Sequence, residues 1–273
     1  MSARRASSGR RAAGTSYSFG KPLSLGINPD LLRFGLMVSN QDMTDDLDVR
    51  RLRRLSTTVV SDALDAYGLA PGIGDLQQQW DGPRIAGVAR TVELEADPGD
   101  APGPHIATSA IVTANPGDVI VVANKGRTDV SCWGGLLSLG SVQRGLSGVV
   151  VDGVCRDVAE ARELKFPVFS RGTTPRTARG RLRQKAVGGT IVLAGLTVDD
   201  GDLIVADDSG VVVVPLADAE RVLDLAEQIE RREDGIAEDI RAGATITQAM
   251  HDARLAGQQV AANSTSRQKG TLQ

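Results

Sequence analysis

Apolar residues first fall into a helical rhythm near residue 50. Leu52, Leu55, Val59, Val60, Ala63, Leu64 and Tyr67 recur at spacings of three and four, and Gly68 follows, so the pattern predicts one helix and its stop. A loop rich in Pro and Gly separates it from Arg84–Glu95, which reads as a strand. Asp97–Pro104 is turn-rich, and Ile106–Thr113 fits a short helix. The unbroken β-branched run Asp118–Ala123 predicts a strand buried on both faces. Gly134 and Gly135 open a helix that runs to Arg144 and closes at Gly145, and a second buried strand follows at Gly148–Val151. Asp157–Leu164 is a short helix and Val168–Ser170 a strand, with the basic loop Arg171–Gln184 after them. Three strands centre on Ile191, Leu203 and Val211, and a long amphipathic helix spans Leu216–Ala242 ahead of a weaker helix and a polar tail.

One internal echo stands out. Pro116-Gly117-Asp118-Val119-Ile120-Val121 matches Asp200-Gly201-Asp202-Leu203-Ile204-Val205, two Gly-Asp turns that each feed an apolar strand. Two copies fall short of the three or so that a stacked repeat needs, so they read as similar strand entries within one domain. Strands and helices mix without strict βαβ alternation, which favours a layered α/β sandwich over a doubly wound nucleotide fold. The organisation read from these patterns is an N-terminal extension over residues 1–46, one structured domain over 47–245, and a C-terminal helix with a polar tail over 246–273.

Composition narrows the chemistry. Aromatics are 3 % of the 273 residues, so Val, Leu, Ile and Ala must build the core, and stacking platforms for single-stranded nucleic acid are not available. A net charge of −3 supplies no bulk positive field for nucleic acid. Cys132 and Cys155 give no disulfide framework and no CxxC, which points to a reducing cytoplasm. No apolar run approaches the ~20 residues that span a bilayer. The first 46 residues carry Arg4, Arg5, Arg10 and Arg11 and no acid before Asp30. A transit peptide has this composition. With no amphipathic period, the segment fits better as a tail, or as an over-extended start with Met37 or Met43 as the true beginning.

The informative stretch is Trp133-Gly134-Gly135-Leu136-Leu137, followed after one helix and one strand by Asp152-Gly153-Val154-Cys155-Arg156-Asp157. The first piece is a glycine-bearing helix start whose free amides and positive dipole end can hold a carboxylate. The second sets a cation beside an anion just past a buried strand, where ligands collect in α/β sheets. Asp157 can offer oxygen to a hard divalent ion such as Mg²⁺, and Arg156 can fork onto a carboxylate or an enolate oxygen. On spacing alone a second reading stays open. Asp157 followed by Glu160 is an N-terminal capping pattern, Arg156 then makes a surface ion pair, and the glycines only allow close packing.

Trp133–Leu137, Arg144-Gly145, Gly148–Gly153 and Arg156-Asp157 together resemble the signature of the 4-hydroxy-4-methyl-2-oxoglutarate aldolase family, which also contains the RraA-like inhibitors of ribonuclease E. The likeness runs from about Leu55 to Glu233, with Ser56–Asp65 similar to the family's opening helix and Gly201–Pro215 to its closing strands. The resemblance implies a layered β/β/α sandwich of the swivelling type, assembled as a homotrimer or homohexamer with sites between subunits. It implies that Asp157 holds a divalent cation, Mg²⁺ or Mn²⁺, that Arg156 binds a small 2-oxo carboxylic acid, and that Gly134, Gly135, Leu136 and Leu137 cradle its carboxylate. A further family acid comes from a neighbouring subunit's C-terminal helix, for which Glu233 is the candidate and Glu230 the second. The family often has an acidic residue where this chain has Gly135, a departure that removes one carboxylate. The implied activities are metal-dependent cleavage of 4-hydroxy-4-methyl-2-oxoglutarate-like acids to pyruvate and decarboxylation of oxaloacetate. The alternative is a non-catalytic protein that regulates an RNA-processing enzyme.

Other chemistries fit less well. A Schiff-base aldolase needs a desolvated lysine, and of the five lysines only Lys125 sits at the end of a buried strand. His105 and His251 are too few for a His-rich zinc site; His105, in the loop ahead of a helix, could touch substrate, but it fits better as a structural or exposed histidine. Neither cysteine has an adjacent base to make a thiolate nucleophile. Arg171, Arg176, Arg179, Arg181 and Arg183 could pair with acids across a subunit boundary, with a polycarboxylate, or with nucleic acid, the last disfavoured by the acidic balance and the absence of aromatics.

Overall fold

The computed structural model describes residues 47–99 and 104–251. The expectations for the N-terminal extension and for the tail beyond residue 251 lie outside those residues.

The predicted first helix is two helices. Helix α1 covers residues 47–52 and α2 covers Thr57–Ala66, so Leu52 and Leu55 belong to a separate turn. The apolar period continues across the break because both pieces pack on one core. What restarts the chain is Ser56, whose hydroxyl accepts from the Val59 amide at 3.3 Å as the N-cap of α2. A two-residue strand β1 (Gln77–Gln78) precedes the long strand β2 (Ile85–Ala96). Helix α3 (Thr108–Thr113) leads to β3, which continues well past the predicted Ala123 to give Val119–Ser131. Residues 124–131 are polar except for Gly126 and the buried Val130, and they include Lys125 and Gly126 at positive φ. Bulges carry this segment along β4 by way of Gly153 and Val154 rather than through apolar alternation. Helix α4 (Gly135–Arg144), strand β4 (Gly148–Val154), helix α5 (Val158–Glu163) and strand β5 (Val168–Ser170) follow as expected, with β4 three residues longer than predicted. The end of the basic loop is not loop but the start of strand β6 (Leu182–Val187). Around Ile191 there is a hairpin, β7 (Ile191–Leu193) and β8 (Leu196–Val198), and then come β9 (Leu203–Asp207) and β10 (Gly210–Val214). A 3-10 turn (Leu216–Asp218) opens the long helix α6 (Ala219–Arg241), and α7 (Ile246–Ala249) follows.

Eight strands form one sheet in the order β1-β5-β4-β3-β2-β9-β10, with β6 also paired to β2. The segment β2-β3-β4-β5 is parallel, and the rest is antiparallel. A bridge between Ile73 and Val211 brings the chain just ahead of β1 against β10, so the sheet is nearly closed. Three apolar clusters explain the layering. Inside the curl, Ala89, Val121, Val150, Ile204 and Val213 pack on Ile191, Leu193 and Val198 of the β7–β8 hairpin. On one outer face α3, α4 and α5 cover Val122, Val149 and Val151, and on the other α1, α2 and α6 cover Leu203, Val205 and Val214. This is the layered α/β arrangement with C-terminal helices that the sequence predicted.

The internal echo has a structural counterpart. Its two strands, β3 and β9, both pair with β2, the first parallel and the second antiparallel. In each turn the aspartate is buried and accepts a backbone amide three residues upstream, Asn115 for Asp118 and Asp199 for Asp202, both at 2.8 Å. The motif is a turn-closing device used twice, not a repeat of the fold.

Candidate functional site at the start of helix α4

The two glycine- and charge-bearing motifs meet because the ladder between β3 and β4 continues past both strands. The Cys132 amide donates to the Val154 carbonyl at 2.9 Å, and the Arg156 amide donates to the Trp133 carbonyl at 3.0 Å. Trp133 anchors the turn. It is 1 % exposed, lies over Phe166 with ring centroids 6.2 Å apart, and donates its indole N–H to Ser138 Oγ at 3.0 Å.

Above this anchor, Gly134 is the N-cap of α4 and has no side chain to cap it. The Gly135 amide donates to Asp157 Oδ2 at 3.0 Å, and Arg156 Nε lies 3.2 Å from the same oxygen. Among the described residues, the amides of Leu136 and Leu137 have no partner, so two donors remain at the positive end of a ten-residue helix. The paired glycines leave room for the side chains that fold over them. A Cβ on Gly134 would stand 2.9 Å from Asp157 Oδ2 and 3.2 Å from Arg156 Nε, and a Cβ on Gly135 would overlap the Glu160 carboxylate.

The backbone of Asp157 bears on the capping reading of its spacing to Glu160. This residue is the N-cap of α5, but its backbone is left-handed (φ 58°, ψ 38°) and its side chain makes no cap hydrogen bond. The carboxylate turns away from its own helix and toward α4, so the capping-box reading fails. A non-glycine residue in this region stores roughly 1–3 kcal/mol, strain that accumulates at functional sites. Ala107, at φ 61°, is another such residue, beside the cavity described next.

A cleft of about 350 Å³, counting the space at its mouth, is lined by His105, Ile106, Ser131, Trp133, Gly134–Leu137, Arg156, Thr177 and Ala178. The structure therefore gathers Gly134, Gly135, Leu136, Leu137 and Arg156 around one cavity and places Asp157 on the glycine turn at its border. Glu233 and Glu230 are elsewhere in the chain, on α6. Burial and then the nearby Asp62 carboxylate hold the Glu233 carboxyl above its usual range, so its company within the chain is α2. Sequence reasoning gave no role to Ser131, Thr177 or Ala178. The only signal for Thr177 and Ala178 was their place in the arginine-rich loop, whose Arg171 and Arg183 pair inside the chain with Asp152 at 2.7 Å and Glu95 at 2.6 Å.

The donor set suits a hard cation. Asp157 offers a carboxylate and Glu160 stands beside it, while the sulfur ligands are withheld. Burial pushes the Cys132 thiol up to about 12, and burial likewise raises Cys155. Among the described residues no three His, Cys, Asp or Glu side chains converge to cage a metal, which disfavours a structural zinc site. Mg²⁺ needs only one or two carboxylates and keeps its waters, so these residues fit it. Lys125 is exposed, unlike the desolvated lysine of a Schiff-base site.

The RraA-like family model, described as Aldolase/RraA, matches residues 57–213, more than half of the chain and within the span that carried the resemblance. The chain belongs to the Aldolase/RraA family. A protein of Halalkalibacterium halodurans, provisionally named a 4-hydroxy-4-methyl-2-oxoglutarate aldolase, is 34 % identical over 71 % of this chain and 90 % of its own length. Protein DlpA of Legionella pneumophila is 30 % identical over 75 % of this chain, and the matched part is only 33 % of that longer protein. Among solved structures, Streptomyces coelicolor RraAS2, described as an unusual member of the RNase ES inhibitor RraA family, shares 31 % identity and a TM-score of 0.64 over 70 % of this chain and 95 % of its own. The RraA-like fold implied by the sequence motifs is thus the fold of the chain. Among the described residues no helix is long and apolar enough to cross a membrane.

Proposed function

We propose that this chain is a divalent-metal-dependent lyase that cleaves 4-hydroxy-4-methyl-2-oxoglutarate-like 2-oxo acids to pyruvate and decarboxylates oxaloacetate. The observation that carries the reading is the uncapped start of α4, with two unpartnered amides opening on a cavity that Arg156 also lines, and Asp157 fixed at its border.

Each residue has a role set by its chemistry. The Leu136 and Leu137 amides, with the helix dipole behind them, bind the substrate carboxylate. Arg156 directs its guanidinium at the 2-oxo oxygen, where negative charge grows as the carbon–carbon bond breaks. Asp157 holds the cation, Mg²⁺ or Mn²⁺, and through its contact with Arg156 Nε it orients the guanidinium. The bound cation supplies Lewis-acid stabilisation of the developing enolate charge. In the cleavage, the substrate hydroxyl gives its proton to water and becomes a carbonyl, the electrons of the broken bond form the pyruvate enolate, and its carbon takes a proton back from water to give pyruvate. Decarboxylation of oxaloacetate releases carbon dioxide and leaves the same enolate, so one site serves both. The family relative provisionally named as an aldolase supports this reading.

Assembly belongs to the proposal. Val112 of α3 and Leu136, Leu139 and Val142 of α4 are exposed, an apolar stripe suited to subunit contact in a homotrimer or homohexamer. In such an assembly Glu233, or Glu230, is the acid that a neighbour's α6 would bring to the site.

The likeness to RraAS2 favours a second reading, a protein that binds and regulates an RNA-processing enzyme through the same surface. Pyruvate release from 4-hydroxy-4-methyl-2-oxoglutarate and from oxaloacetate, with Mg²⁺ or Mn²⁺ and again with excess EDTA, separates the two. Release that EDTA stops is the expected result. A folded protein that releases no pyruvate from either acid would favour the binding reading.

A further inference from the structure

Glu160 has no evident structural task. It is exposed, and among the described residues its side chain makes no hydrogen bond and no ion pair. It is the third residue of α5, the position from which a glutamate can reach back over the start of its helix. In a capping box it would meet the amide of the N-cap residue. Here the N-cap residue, Asp157, is left-handed, and Glu160 reaches instead across to α4. Its carboxylate fills the space that a side chain at residue 135 would take, with Cδ 2.7 Å from the ideal Cβ position of Gly135, while Asp157 Cβ lies 3.3 Å from that same point.

We propose that Glu160 is the second carboxylate of the cation site, placed there because residue 135 is glycine. The inference rests on the metal-binding reading of Asp157. Charge supports it independently of that residue's role. Asp157 and Glu160 are two carboxylates on one turn, and among the described residues the cation against them is Arg156, 3.2 Å from Asp157 and unpaired with Glu160. A divalent cation beside them would offset the excess negative charge, and one or two carboxylates with retained waters are the ligand set Mg²⁺ and Mn²⁺ use. On this account the absence of an acid at position 135 does not disable the site, because the carboxylate arrives from α5 instead of α4.

Binding of Mn²⁺ alone, followed by water-proton relaxation on the full chain, tests this without requiring turnover. Wild type should bind Mn²⁺, and Asp157→Asn should lose binding. Glu160→Gln should weaken it about 10–100-fold, the range for residues that support a metal's ligands. The double variant Gly135→Asp with Glu160→Ala moves the carboxylate back to α4. Gly135 is not at positive φ, so the backbone accepts an aspartate there, and most of the lost affinity should return. Glu160→Gln binding as tightly as wild type while Asp157→Asn loses binding would overturn the inference and leave the metal reading standing. A weakened Glu160→Gln that the double variant does not rescue would also overturn it, since a carboxylate in that space would then not be what binding needs. Wild type that binds no Mn²⁺ would remove the metal reading and this inference with it.

Discussion

Two helices of the chain begin at opposite outer layers, and they spend their first amides differently. At the start of α2, Ser56 accepts from the Val59 amide, and the Asp207 carboxylate accepts the Thr57 amide at 3.0 Å and the Thr57 hydroxyl at 2.6 Å. At the start of α4 the cap is a glycine, one amide goes to Asp157, and those of Leu136 and Leu137 are left open. Both starts border cavities, and the one beside α2 is the roomier, about 570 Å³ with its open space against about 350 Å³. Size therefore does not identify the site. Among the described residues, the difference lies in how many of the first three amides are spent on the protein's own side chains, two at α2 with that of Thr58 open, against one at α4 with two available to a ligand. A helix start mostly capped by side chains stabilises the fold, and one with two adjacent open amides above the buried Trp133 is suited to an anion.

That contrast can be broken at either end. The largest effect expected is on chemistry at α4. Asp157→Asn keeps a residue that tolerates the left-handed backbone, so the melting temperature should stay close to wild type while metal-dependent kcat falls by about 10²–10³-fold. Retention of full turnover would show that the site lies elsewhere. Trp133→Ala removes the anchor beneath the turn and should cost about 3–5 kcal/mol in urea unfolding. Arg156→Lys keeps the charge but loses the planar fork that meets the growing charge on the 2-oxo oxygen, so a lowered kcat is the expected signature, with a loss of about 1.5–3 kcal/mol in kcat/KM. The smallest effects belong to α2, where Ser56→Ala should cost about 1 kcal/mol of stability with turnover unchanged.

The α2 end also carries a pH dependence. Burial works to raise the Asp207 carboxyl, but the hydrogen bonds from Thr57 and Ser209 outweigh it and hold the group below its usual range. A depressed folded-state pKa means that the ionised carboxylate favours the native state above the ordinary carboxylate pKa. That contribution fades as pH falls through the lower, folded value. Asp207→Asn should therefore narrow the stability gap between neutral and acidic pH in thermal melts, and an unchanged gap would show that the α2 cap carries no such linkage.

Much of the frame was legible because apolar periodicity reports burial directly. The runs Val119–Ala123 and Gly148–Val151 fall on the parallel strands that carry the site, and Gly145, at φ 77°, ends α4 where its position predicted. The break between α1 and α2 was hidden by apolar residues that continue across it, although Ser56 supplied the cap signal. Residues 124–131 of β3 were hidden for the opposite reason, since their pairing rests on bulges and backbone rather than on an apolar face. At the site, the glycine cradle and the Arg156-Asp157 pair could be read as a motif, but the part of Glu160 could not. A spacing of three residues from Asp157 is that of a capping box, and only the left-handed turn at Asp157 shows that both carboxylates leave their own helix for the neighbouring one.

Crystals of the protein grown with Mn²⁺ and pyruvate would test the central claim most directly, through the position of the manganese anomalous signal. The account predicts a peak beside Asp157, with the pyruvate carboxylate on the Leu136 and Leu137 amides. A peak beside Asp62 and Glu233 near the start of α2, with the α4 turn empty, would contradict it.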